Sequence, residues 1–145
     1  MLKKILCPID FSESSEKVKN ELKKLSGYNV DEVILLHVID ERIYAYSSYI
    51  DSLSIDNLDI QGEISKYIEG KMADWKKELE EAGLKVTTKI VEGIPFTQII
   101  YYAKSLGVSL IILGHRGHSK VDEMILGSTA EKVARKAPVN VMIVK

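Results

Sequence analysis

Cysteine and tryptophan each occur once and proline three times in the 145 residues of this chain, and each scarcity removes a class of protein. Cys7 alone cannot close an internal disulfide, so a disulfide-stapled secreted scaffold is excluded and a reducing compartment suits the chain. The nine glycines and the prolines are scattered, which fits neither a disordered linker nor a fibrous repeat. No apolar run approaches the roughly 18 residues a membrane span requires. Met1 is followed by Leu2-Lys3-Lys4 and an apolar stretch too brief for a signal peptide. A cytoplasmic protein without a membrane partner is the expectation. Charge of one sign is lacking too: 20 Lys and Arg against 21 Asp and Glu leave a formal charge of -1. That balance gives no general attraction for a polyanion, so nucleic acid is not the expected partner. The sequence also lacks a Walker A motif, a G-x-G-x-x-G turn and a kinase signature, which disfavours rapid phosphoryl transfer.

What is present reads as one domain over 1–145. Its 46% hydrophobic and 28% charged residues are ordinary for a globular chain of this length. Ile5-Leu6-Cys7-Pro8-Ile9 is an apolar strand ended by Asp10. Ser12 as N-cap, with Glu13 and Glu16 behind it, opens a helix with Val18, Leu22 and Leu25 on its apolar side. Val33 to Ile39 is a second near-continuous apolar strand, of the kind buried on both faces. Periodicity lapses at about 41–62, where Tyr44, Tyr46 and Tyr49 mix with polar residues, and a variable loop or lid is expected there. A long helix follows with Ile64, Tyr67, Ile68, Met72, Trp75, Leu79 and Ala82 on one face. Lys85 to Val91 alternates like a strand near a sheet edge. Pro95 opens a helix through Phe96, Ile99, Ile100, Ala103 and Leu106, and Leu110-Ile111-Ile112-Leu113 is a fourth strand. Ser128 and Glu131 have capping-box spacing at the start of a last helix, and Val139 to Val144 is the fifth strand. Strands alternating with amphipathic helices predict an open parallel sheet with helices on both faces. In such a sheet, ligands bind at the carboxyl ends of the strands.

The chemistry is concentrated in Gly114-His115-Arg116-Gly117, nine intervening residues, and Gly127-Ser128. The segment leaves the fourth strand and ends at a helix N-terminus, where amides and the helix dipole attract anionic oxygen. Glycine there lets the backbone approach a ligand closely, or merely turns the chain. Ser128 can donate its hydroxyl unless capping consumes it. His115, Arg116 and His118 can meet phosphate or stay solvated, Arg being the permanent charge suited to it. Between Gly114 and Lys136, five Lys or Arg stand against three Asp or Glu. No third ligand has metal-site spacing beside the two histidines. Asp10, an acid at the end of the first strand, can accept from a ribose hydroxyl or help hold a divalent ion, or it can cap the following turn.

Gly114-x-x-Gly117-x9-Gly127-Ser128 resembles the nucleotide signature of the ATP-binding branch of the universal stress proteins. Ile5 to Ser12, Leu35-Leu36-His37-Val38 and Ala137-Pro138-Val139-Asn140-Val141 are similar to that family's opening strand, second strand and closing turn. The resemblance spans nearly the whole chain apart from about 41–62. It implies a Rossmann-like, adenine nucleotide alpha-hydrolase-like sheet of order 3-2-1-4-5. Carried over position by position, it places Pro8, Asp10 and the main chain of Val38 at adenine or ribose. It places Gly114, Gly117, Gly127 and Ser128 around the phosphates, and His115, Arg116, His118 and Thr129 beside them are further candidate binding residues. The ligand it implies is ATP, or ADP or AMP, with Mg2+ or Mn2+ as an accompanying ion. It also implies a homodimer through Val139 to Val144. The two histidines depart from the small hydroxyl and Arg residues expected there.

Three functions are compatible with these residues. The first is a nucleotide-dependent regulator or sensor in stress response. The second is a slow metal-dependent ATPase, which would need Asp10, His115, His118 or Glu123 to orient water or metal. The third is a dimeric interaction module without nucleotide, against which the intact glycine signature speaks. Cys7, His37, Met72 and Trp75 read as structural. The Tyr44, Tyr46 and Tyr49 cluster reads either as surface or as a cover for an adenine ring.

Overall fold

Strand β1 (Lys4–Pro8) is apolar through its middle because both of its faces are covered, and Ile5, Leu6 and Cys7 are fully buried. A computed structural model describes residues 3–53, 59–116 and 126–145. Among these, β1 lies at the centre of a five-stranded sheet with β2 (Glu32–Asp40), β3 (Val86–Gly93), β4 (Leu110–Gly114) and β5 (Asn140–Val144). The order is β3-β2-β1-β4-β5 and every pairing is parallel, as expected.

Side chains on successive strand residues point to opposite faces, so each apolar strand supplies two cores at once. On one face Ile5, Cys7, Val33, Leu35 and Ile112 pack under α1 (Glu13–Lys24) and α3 (Ile60–Glu81), through Val18, Leu22, Met72, Trp75 and Leu79. On the other, Leu6, Ile34, Leu36, Ile111 and Leu113 pack under α4 (Pro95–Ser105) and α5 (Ser128–Lys136), through Ile99, Ala103, Ala130 and Val133. Helices on both faces follow from this alternation. Ser12 caps α1 by accepting from the Ser15 amide, and Pro95 stands in the first turn of α4. No helix among the described residues is long and apolar enough to cross a membrane.

Three details differ from expectation. The aperiodic segment after β2 carries a helix, α2 (Glu41–Ser52), and α3 begins at Ile60. The pattern conceals α2 because only Ser47 on it is buried, while Ile43, Tyr46 and Tyr49 face outward. Its capping is clear: the Asp40 carboxylate accepts from the Arg42 amide, and Asp51 near its end accepts from the Ile60 and Gln61 amides that open α3. Tyr67, expected on the inner face of α3, is 60% exposed. The capping box at Ser128 is not formed: Gly127 is the N-cap of α5, no side chain caps it, and Ser128 is the first helical residue.

Candidate functional site

Strands β1 and β4 are neighbours in the sheet, yet the chain leaves β1 toward β2 on one side and β4 toward β5 on the other. This is the switch point at which an open parallel sheet leaves a crevice beyond its carboxyl edge. A cleft of about 400 Å³ occupies it, within the usual range of about 300–1,000 Å³ for ligand sites. Pro8, Asp10, Val38, Gly114, Arg116, Gly127, Ser128 and Thr129, all candidates from the sequence, line it together. His115 does not line the cleft, and Gly117 and His118 lie outside the described residues.

The turn after β1 is built around Asp10. Its Oδ1 accepts from the Ser12 amide at 3.0 Å and from the Ser15 hydroxyl at 2.8 Å, and the Asp10 amide donates back to Ser15 Oγ at 3.2 Å. Asp10 therefore has the turn-building role as well as its place on the cleft wall. The next residue, Phe11, holds φ at 63°, a left-handed conformation that non-glycine residues seldom adopt. Its ring is stacked on His37 with centroids 4.9 Å apart and meets Trp75 edge-on. His37 Nδ1 donates to the Ile9 carbonyl at 2.8 Å. Ring packing and the Ser12–Ser15 bonds thus hold Asp10 at the mouth of β1, and His37 has the structural role expected of it.

On the β4 side the Gly127 amide is turned away from the cleft. The His115 amide donates to the Val144 carbonyl at 2.9 Å, and the Gly127 amide donates to the His115 carbonyl at 2.8 Å. The Arg116 amide donates to Ser14 Oγ at 3.2 Å. These bonds bring both ends of the glycine-punctuated segment together at one point. What they leave for an anion is the first turn of α5, whose amides at Ser128, Thr129 and Ala130 precede the first intrahelical bond, from Glu131 to the Gly127 carbonyl. All three residues line the cleft. The Ser128 hydroxyl is likewise not consumed by capping. Among the described residues, the element suited to attract an anion is thus the helix start, which Gly127 opens as N-cap.

Nine lining residues were not anticipated as site residues: Ile9, Leu36, Leu113 and Ala130 beside the predicted positions, and Ser15, Asp40, Arg42, Pro95 and Ile99. Pro95 and Ile99 belong to an apolar helix stripe, and periodicity does not separate a core position from a cleft wall. Asp40 and Arg42 lie where the sequence shows no period. They form a bidentate pair, Arg42 Nε to Asp40 Oδ1 at 3.0 Å and Nη2 to Oδ2 at 2.6 Å. The hydrogen bond from Arg42 is the chief reason the Asp40 carboxyl is held below its ordinary range.

The lining is polarised. Val38, Pro95, Ile99 and Leu113 supply apolar walls, Asp10 and Asp40 carboxylates, and Arg116 with the start of α5 positive potential. Among the described residues no three His, Cys, Asp or Glu side chains are grouped to hold a metal by themselves. A divalent ion carried by a phosphate chain requires less, one or two carboxylates with the remaining positions filled by phosphate and water. Asp10, on the cleft wall, is a carboxylate of that kind, with its Oδ1 already held by Ser12 and Ser15; Asp40 is engaged with Arg42.

The model of the universal stress protein family matches residues 1–145. The universal stress protein MJ0577 of Methanocaldococcus jannaschii is 38% identical over 155 aligned positions, covering 100% of this chain and 96% of that protein. Its solved structure superimposes with a TM-score of 0.87 at 39% identity, over 100% of this chain and 96% of that one. The universal stress protein YxiE of Bacillus subtilis is 33% identical over the full length of both chains. A universal stress protein from Archaeoglobus fulgidus, solved in complex with dAMP, shares the fold with a TM-score of 0.66 at 15% identity, each chain covered in full.

Proposed function

Starting from the fact that the chain belongs to the universal stress protein family, we propose that it is a nucleotide-dependent regulator that binds ATP in the cleft at the β1–β4 switch point. The observation that carries this reading is the cleft's polarity: apolar walls, the Asp10 carboxylate and the mutually neutralised Asp40–Arg42 pair toward the β1 and β2 ends, open helix amides with Arg116 at the β4 end. A nucleotide has the same polarity. Its base is flat and largely apolar, its ribose donates hydrogen bonds that Asp10 can accept, and its phosphates need positive potential and N–H donors. The dAMP held by the family member from Archaeoglobus fulgidus is a ligand of this kind. ATP is favoured over the monophosphate because a longer phosphate chain brings more negative charge to the open amides of Ser128, Thr129 and Ala130 and to Arg116.

In this reading the bound nucleotide alters the surface around the cleft mouth, and that altered surface is the regulatory output. A homodimer joined through β5 belongs to the same proposal. β5 is an edge strand, and Met142 on it is 43% exposed, which favours coverage by a second strand.

Two measurements test the proposal together. Mass spectrometry of small molecules released from freshly purified protein should find an adenine nucleotide, and calorimetry should show ATP binding more tightly than AMP and far more tightly than a pyrimidine nucleotide. A preparation that releases no nucleotide and gives no heat with ATP would end it.

A further inference from the structure

Arg42 lines the cleft from above the end of β2, and the nucleotide reading does not yet use it. Two bonds to the Asp40 carboxylate hold its guanidinium, and Asp40 is itself fixed as the N-cap of α2 through the Arg42 amide at 3.0 Å. The Arg42 side chain is 85% exposed and that of Asp40 17%, so the pair contributes little to stability. Its effect is geometric: it keeps a flat cation in one pose at the rim of a cleft. A guanidinium has five N–H donors, and those not turned to Asp40 have no partner among the described residues.

Position decides which part of a ligand meets it. Neighbouring strands lie about 4.8 Å apart, so the end of β2 stands roughly 10 Å from the end of β4 across β1. If phosphate occupies the start of α5, the β2 end is about one nucleoside away. The same corner is apolar: Asp40 is paired with Gly93, two residues before Pro95, and Val38 and Pro95 both line the cleft there. A planar cation beside an apolar slot suits an aromatic ring, because guanidinium groups stack on ring faces and lose little freedom when already held flat.

We propose that Arg42 is a base clamp, its guanidinium laid over the purine of the bound nucleotide and oriented there by Asp40. The clamp rests on the nucleotide reading of this cleft and extends it to the choice of base and the affinity for the nucleoside portion.

The test measures ATP by calorimetry and adenosine by competition against ATP, on the full chain, its Arg42→Ala and Arg42→Lys variants, with circular dichroism to check that each is folded. The expected result is a loss of about three- to tenfold for both ligands in Arg42→Ala, the range open to a cation–π contact of this kind. Arg42→Lys should recover little, since an ammonium has no plane to stack. A loss confined to ATP would make Arg42 a phosphate contact and overturn the clamp. Full recovery in Arg42→Lys, or unchanged affinities in Arg42→Ala, would overturn it equally. In each of these cases the wild-type chain still binds ATP and the nucleotide reading stands. A wild-type chain that binds neither ligand overturns that reading, and the clamp with it.

Discussion

A Cβ placed on Gly114 would stand 2.6 Å from Ser14 Oγ and 2.9 Å from Ser14 Cβ. The glycine at the end of β4 is therefore where the first turn of α1 packs against the sheet. The same Ser14 hydroxyl accepts from the Arg116 amide at 3.2 Å, so the contact also aims the chain leaving β4. Close approach, rather than an unusual backbone angle, is what requires glycine here.

Gly114→Ala should accordingly destabilise the fold by about 1–3 kcal/mol, the usual range for overpacking a tight contact. Chemical denaturation of Gly114→Ala, Ser14→Gly and the double variant checks the cause. If the contact with Ser14 is responsible, the double variant loses less than the sum of the two singles by at least about 0.5 kcal/mol. Strict additivity would place the strain elsewhere.

Gly127→Asp separates stability from binding. The N-cap backbone at Gly127 has φ -58° and ψ 150°, which any L residue can adopt. An Asp there gains a capping bond and a favourable interaction with the helix dipole, so stability should rise by about 0.5 kcal/mol. The same carboxylate opposes phosphate at the start of α5, and ATP affinity should fall at least tenfold while adenosine is much less affected. Thermal melting and calorimetry on one sample read both effects. Undiminished ATP binding would show that phosphate does not sit at this helix start.

Lys19 provides a pH signature remote from the cleft. It lies against the Trp75 ring at 4.7 Å and bonds to Glu16 at 2.8 Å and Glu78 at 2.6 Å. Burial acts to lower its pKa, but the bonds to Glu16 and Glu78 together outweigh burial and the net shift is upward. Glu78 is shifted downward, chiefly by its hydrogen bond from Lys19. A depressed acid stabilises the fold above its unfolded pKa and loses that contribution as pH falls through the folded value. A raised lysine stabilises below its unfolded pKa and loses that contribution as pH rises through the folded one. Glu78→Gln should therefore be less stable than the wild type at neutral pH, with the difference shrinking on acidification below the ordinary Glu range. Melting curves across pH 3 to 7 measure it, and a pH-independent difference would remove Glu78 from the account.

Cys7 should be inert in the native protein. It is fully buried in the middle of β1, and burial pushes its thiol pKa far upward. Only the thiolate reacts readily. Labelling by a thiol reagent should thus be slow in buffer and should accelerate with denaturant in step with global unfolding. Rapid labelling of folded protein would mean that the central strand opens locally.

Met142→Lys tests the pairing proposed for β5. A charge on an exposed edge position disfavours strand association, so light scattering should show a dimer for the wild type at micromolar concentration and a monomer for the variant. A wild-type monomer would remove the pairing.

The parallel sheet and its two cores were legible because each signal is local or nearly so, whereas the strand order came with the resemblance to the universal stress proteins. Apolar runs such as Val33 to Ile39 announce strands covered on both faces. The stripe through Met72, Trp75 and Leu79 announces a packed helix, and the glycine-rich segment leads from β4 to a helix start. Residue patterning alone therefore fixes the fold class and the neighbourhood of the cleft. It did not reveal α2, whose buried surface is little more than Ser47. Nor did it reveal which amides stay open.

Which amides stay open depends on contacts between distant segments. Gly127 closes on the His115 carbonyl and the Arg116 amide on the Ser14 hydroxyl, so among the described residues the main-chain donors open to an anion are those of Ser128, Thr129 and Ala130. Asp40 and Arg42 became a cleft wall in the same way, through the register that pairs the end of β2 with Gly93. Periodicity and propensity act over a few residues. The choice of partner between Ser14 and Arg116, separated by 102 positions, is made by strands that bring distant turns to one edge of the sheet.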